Sequence, residues 1–179
     1  MLGVETPIRR RVQVPSGATL SRVHGDIQAV MGWWNSHLHQ FEISDIRYSS
    51  PEPGYVPVLG DPVHDERKSK LGSLAEEDDR FIYEYDFGDS WEHEIVGEQI
   101  LAAGPGSTTS RCLEGARPCP PEDVGGWPGY ADFLDAMADP RHPDHDVRRE
   151  WIGGRWDPEF FSLDGANGAL KMSASRRFR

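Results

Sequence analysis

The chain has 179 residues, a net charge of -11 and a pI of about 5.0, with 27% charged and 37% apolar residues. A duplex-binding surface needs clustered Lys and Arg to release counterions, so this balance argues against direct nucleic-acid binding. No run of ~18 apolar residues is present to cross a membrane. Two cysteines, Cys112 and Cys119, are too few for a disulfide framework. The first residues lack a basic stretch followed by an apolar one, so no export signal is expected, and the thiols are expected reduced in a cytoplasm. A chain of this length buries enough surface to fold as one domain, expected over 1–179, without a metal or a disulfide.

Residues 8–14 read as a short strand closed by Pro15, Ser16 and Gly17. Thr19 then has the character of an N-cap. Leu20, Val23, Ile27, Val30 and Met31 follow helical spacing, and Gly32 is a C-terminal stop. His24 falls on that apolar face, and Trp33 begins the corner that follows. Residues 37–48 alternate as a strand, with His37, His39, Phe41 and Ile43 on one face. Residues 49–70, with four prolines, are expected to be a flexible loop, and 71–79 a short acidic helix.

Residues 81–87 and 91–100 form the strongest pattern in the chain, a hairpin alternating aromatic and acidic side chains. An odd loop of Gly88, Asp89 and Ser90 puts Phe81, Tyr83, Tyr85 and Phe87 on the face of Trp91, His93 and Ile95. Glu84 then opposes Glu94 and Asp86 opposes Glu92, a like-charge ladder that needs solvent or a cation. Residues 102–112 read as a loop, and Pro120 to Asp123 as a short helical turn. Tyr130, Phe133, Leu134 and Met137 mark a helix stopping at Asp139, and Val147, Trp151 and Ile152 mark another ended by Gly153. Residues 157–161 begin a short final turn. Strands first and helices after predict an α+β fold, with a curved mixed or antiparallel sheet and helices packed on one side.

These landmarks resemble the plasmid pRiA4b ORF-3-like family, also described as passenger proteins of certain insertion sequences. The matching pieces are Pro7-Ile8 with Arg10-Arg11, Thr19-Leu20 with His24, Met31-Gly32-Trp33 and His37-Leu38-His39-Gln40-Phe41. They continue through the segment from Tyr85 to His93, Pro120 to Asp123, Gly125-Gly126, Gly129-Tyr130, and Asp157-Pro158 with Phe160. Arg9 stands where the family pattern usually has Trp, and Val124 where many members have Cys. The resemblance implies an α+β fold with a mixed, curved sheet and an association with mobile elements.

Three functions follow as expectations. The first is a binding or interaction module for a small molecule or protein, with a pocket between the 37–41 strand and the 85–93 hairpin. Its candidate residues are His24, Trp33, His37, His39, Tyr85, Asp86, Asp89, Trp91, His93, Glu122 and Asp123. The second is a metal-dependent hydrolase holding a divalent transition metal through His37, His39 and His93, although their spacing matches no known metal signature. The third is an accessory role in mobile-element DNA transactions through a protein partner. The bland reading is that the histidines pack against aromatic rings and the carboxylates face water. No pattern distinguishes a monomer from a homodimer.

Overall fold

The hairpin alternation organises the sheet. The computed structural model describes residues 7–50, 62–102, 104 and 108–176. β5 (Arg80–Tyr85) and β6 (Trp91–Val96) pair antiparallel with Tyr85 opposite Trp91 and Tyr83 opposite His93. Phe81, Tyr83, Tyr85, Trp91 and His93 are all buried, as the period-two pattern predicts. The loop is longer than expected: residues 86–90 lie outside the ladder, so Phe87 is not paired and Glu84 faces Glu92. Protein donors offset the charge of Glu84 and of Glu94. Glu84 accepts from Gln40 Nε2 at 2.8 Å and from Ser90 Oγ at 3.0 Å, while Glu94 pairs with Arg80 at 2.7 Å.

β2 (His39–Ile43) lies on the other side of β5, and β3 (Ile46–Ser49) beyond it. The expected single strand over 37–48 is therefore a hairpin. Ser44 and Asp45 both have positive φ, 51° and 63°, the backbone of a two-residue turn whose twist matches the strands. His37 precedes the strand and does not alternate with His39. β4 (Val63–Asp65) pairs parallel with β3 at the sheet edge. The expected loop over 49–70 is thus ordered at its far end, and 51–61 lie outside the described residues. The order β4-β3-β2-β5-β6 makes a mixed five-stranded sheet.

α1 (Leu20–Met31) covers this sheet. Thr19 Oγ1 accepts from Arg22 N, and Gly32 closes the helix at φ 86°, both as the sequence indicates. Residues 71–79 form only a 3-10 turn, Leu71–Ser73. β1 (Arg9–Gln13) pairs antiparallel with β7 (Arg111–Ala116), a strand not expected from its small and charged residues. α2 (Gly126–Ala138) and α3 (His145–Trp151) fall where expected. The helical turn expected at Pro120 to Asp123 is a non-helical turn.

The turn expected at 157–161 forms, with Phe160 N donating to Asp157 O at 3.1 Å. A 14-residue helix not expected from the sequence follows it, α4 (Leu163–Arg176), packed on α1 and β7. Asn167 accepts from Cys112 N and donates to Cys112 O, both at 3.0 Å, so α4 satisfies backbone groups of β7 that have no strand partner there. Among the described residues the result is an α+β fold of four helices with a five-stranded mixed sheet and a two-stranded antiparallel one. No helix among the described residues is long and apolar enough to cross a membrane.

The segment before α2 is packed against backbone. A Cβ on Gly129 would lie 2.0 Å from Val124 O, and one on Gly126 2.9 Å from Asp89 O. Gly129→Ala must therefore displace backbone. It is expected to cost about 2 kcal/mol or more and to lower the melting temperature by about 5 °C or more. Gly17→Ala, with nothing within 4 Å of its added carbon, is the control that should leave the thermal melt within about 1 °C.

Candidate functional site

The sequence-selected residues separate into a buried scaffold and an open cluster. In the scaffold, His24 Nδ1 lies 2.8 Å from Tyr83 Oη and its Nε2 2.7 Å from Asn35 Oδ1. Asn35 Oδ1 accepts, so Nε2 carries the proton and Nδ1 receives the Tyr83 hydroxyl. Gln28 donates to Tyr83 Oη at 3.0 Å and accepts from Asn35 N at 2.9 Å, which closes the network. His39 stacks on His24 with ring centroids 3.4 Å apart and planes 3° from parallel. Its Nε2 meets the buried Glu66 Oε2 at 2.8 Å. Both histidines are held by protein groups, the bland arrangement set beside the metal reading above.

Trp33 is buried and donates to Pro120 O at 3.0 Å, stacking on Tyr85 at 4.8 Å. Trp91 is buried edge-on against Trp127. Such pairs contribute about 0.5–1.5 kcal/mol each beyond area burial. His93 is buried edge-on to Trp33, with Nδ1 against Trp91 O at 3.0 Å, while its Nε2 has no hydrogen-bond partner among the described residues. Burial depresses its pKa to about 3, because the cation loses its hydration.

The open cluster centres on His37. Its Nε2 is 3.1 Å from Asp123 Oδ1, 3.6 Å from Asp86 Oδ2 and 3.7 Å from Glu122 Oε2. None of these contacts has hydrogen-bond geometry, and the nitrogen is itself buried without a partner among the described residues. His37, Asp86 and Asp123 each present a ligand atom within 4.8 Å of the others. No Lys or Arg pairs with the three carboxylates among the described residues.

Local backbone aims each group. Asp86 has φ 57°, and its Oδ1 accepts from Gly88 N at 3.0 Å, which leaves Oδ2 toward His37. Asp89 Oδ2 accepts from Gly125 N at 3.2 Å and ties the hairpin tip to the loop carrying Glu122 and Asp123. Glu122 Oε1 accepts from Trp34 N at 2.7 Å and from Tyr85 Oη at 3.1 Å. Burial, with the Glu122 charge adding to it, pushes the Tyr85 phenol up. Asp123 has φ 58° and a side chain 71% exposed, so the cluster opens to solvent.

His37, Asp86 and Asp123 are thus brought together from the eleven selected residues, with Glu122 and Tyr85 beside them. His39 and His93 do not converge with His37 into a ligand group among the described residues. Trp34, whose amide orients Glu122, was missed. Its role is carried by the main chain, which no side-chain pattern signals.

The fold and the cluster define an α+β domain with a histidine–carboxylate cluster at the tip of its β5–β6 hairpin. The family model for plasmid pRiA4b ORF-3-like proteins matches residues 1–165, and the chain belongs to that family. It is 43% identical over 152 residues to the uncharacterised protein y4hQ of Sinorhizobium fredii (strain NBRC 101917 / NGR234), covering 84% of this chain and 76% of the relative. It also resembles the crystal structure of a protein of unknown function, MM3350 from Methanosarcina mazei Go1. There the TM-score is 0.79 and the identity 34%, with 91% of each chain covered.

The depressed pKa of His93 has a signed consequence. The unfolded chain takes up a proton near pH 6.5 and the folded chain only near 3, so His93 favours folding fully above about 6.5 and progressively less as pH falls toward 3. At pH 4.5 the loss from this group is roughly 2–3 kcal/mol. Denaturant unfolding between pH 7.5 and 4.5 should show a steeper loss for the native chain than for His93→Phe.

Proposed function

We propose that the chain is a divalent-cation-binding domain, with the cation held by His37, Asp86 and Asp123 and flanked by Glu122. The observation that carries this is the convergence of three carboxylates on one buried, unpartnered imidazole nitrogen, without a Lys or Arg among the described residues to balance them. Such a concentration of negative charge is unfavourable unless a cation or bulk water relieves it. One imidazole with two or three carboxylates suits Mn²⁺, Fe²⁺ or Zn²⁺, since nitrogen favours the transition ions and carboxylates the harder ones. The exposed Asp123 supplies an entry path, and three protein ligands leave coordination positions for water or a ligand. The centre sits at the tip of the 85–93 hairpin, whereas the cleft beside it is lined by neither that hairpin nor the 37–41 strand, where the pocket was expected. The net charge of -11 means that any accessory role in mobile-element DNA transactions runs through a protein partner rather than direct DNA contact.

A second reading is supported by Glu122. Its carboxylate is fixed by Trp34 N and Tyr85 Oη and lies 3.7 Å from His37 Nε2. A base held there is placed to take a proton from a cation-bound water, which is hydrolase chemistry.

Calorimetric titration of the chelator-stripped chain with Mn²⁺ or Zn²⁺ should show one site. Asp86→Asn and His37→Ala should each weaken it by a factor on the order of 100, at least the loss seen when a metal ligand's supporting partner is removed. His93→Phe should leave it unchanged. Equal affinity in the native chain and Asp86→Asn would sink the assignment. For the hydrolase reading, Glu122→Gln should retain the cation but lose turnover of p-nitrophenyl ester or phosphate substrates.

A further inference from the structure

Beside the cluster lies a cleft of about 600 Å³ between the end of α1, the Pro120 to Asp123 segment, α3 and α4. Its size falls in the range of small-molecule sites. Its walls are mostly apolar and aromatic, including Met31, Trp33, Ile152, Trp156 and Phe161. At its mouth Trp34 is 81% exposed and Phe160 61% exposed. Large rings left facing solvent at the rim of a concave apolar surface are a feature of ligand sites. Trp34 is also joined to the cluster, because its amide donates to Glu122 at 2.7 Å.

The charges on this lining are few. Glu122 and Asp123 line it beside Trp34, and Arg10 lines it beside Phe161 and Val30. The guanidinium of Arg10 lies over the Phe161 ring at 4.4 Å and donates through Nε to Val30 O. Glu122 and Asp123 therefore belong to two features at once, the rim of the cleft and the shell of the proposed cation.

Resting on the cation reading, we infer that the cleft binds a small molecule with an apolar, preferably aromatic, body and an oxyanion head that completes the coordination of the cation. The charge argument decides the head group. Without the cation, Glu122 and Asp123 repel an anion entering the cleft. With it, this part of the cleft is neutralised, offers open coordination positions and attracts oxygen donors. Binding is then cation-dependent, because the Arg10 guanidinium is engaged by the carbonyls of Val30, Arg9 and Ala116 and by the Phe161 ring. The aromatic rim supplies affinity for the body, and the cation supplies orientation.

The test uses the whole chain in two stages. Calorimetry first establishes saturation with Mn²⁺. Phenylphosphonate and phenylacetate are then titrated into the Mn²⁺-loaded and the EDTA-treated chain, with inorganic phosphate as the probe for the head alone. The expected result is saturable binding of at least one aromatic acid to the loaded chain only. Phe160→Ala should weaken that binding roughly tenfold, the order expected for one aromatic contact, while leaving the Mn²⁺ titration unchanged. The stronger of the two acids identifies the head group as phosphoryl or carboxylate. Normal Mn²⁺ binding with neither acid bound would overturn the inference and leave the cation site standing. Equal binding by the native chain and Phe160→Ala, or inorganic phosphate binding as tightly as phenylphosphonate, would show that the cleft contributes nothing. Tighter binding of benzyltrimethylammonium to the EDTA-treated chain, displaced by Mn²⁺, would reassign the cleft to organic cations. Failure of the first stage would remove the cation reading itself.

Discussion

The pairing of Tyr85 with Trp91 is the constraint on which the rest depends. It places Tyr83, Tyr85, Trp91 and His93 on the face covered by α1 and sends the glutamates of both strands outward. It also makes Asp86 the first residue beyond the ladder, free to adopt a positive φ and turn its carboxylate toward His37. A one-residue slip would exchange the faces, burying Glu84 and Glu92 and expelling the aromatic rings. Core and candidate centre therefore share one register: the buried tyrosine ends at a hydroxyl that meets Glu122, and its neighbour supplies a ligand atom.

What was legible in the sequence was whatever alternates or repeats strongly. The hairpin, α1 with its Thr19 cap and Gly32 stop, and α2 all have contrast between a buried and an exposed face. α4 lacked it. Its Gly165, Asn167, Gly168 and serines dilute the pattern, and the helix is fixed by tertiary contacts of Ala166, Leu170 and Asn167. β7 was invisible for the same reason, since its ladder is completed by a strand about 100 residues away. The turn at Ser44 and Asp45 was missed because neither is glycine, although polar residues tolerate the left-handed backbone there.

The centre was legible in its members but not in its grouping. Histidine is recognised as a ligand type wherever it occurs, whereas its partners are decided by tertiary placement. His24 and His39 meet ring to ring because a helix crosses a strand there, and Glu66, from a stretch expected to be loop, answers His39. His37 escapes this network because the chain is still irregular before β2 begins. That irregularity lets it meet carboxylates from two distant segments.

The close approach of Gly126 to Asp89 and of Gly129 to Val124 limits how the centre can vary. The hairpin tip and the segment before α2 touch through main chain, leaving no slack for either to shift alone. Diversity around the candidate centre must then come from side chains that project away from this junction, such as the exposed Trp34. For an engineer, the backbone is a fixed chassis, and Trp34 is where a new preference can be written without rebuilding the frame.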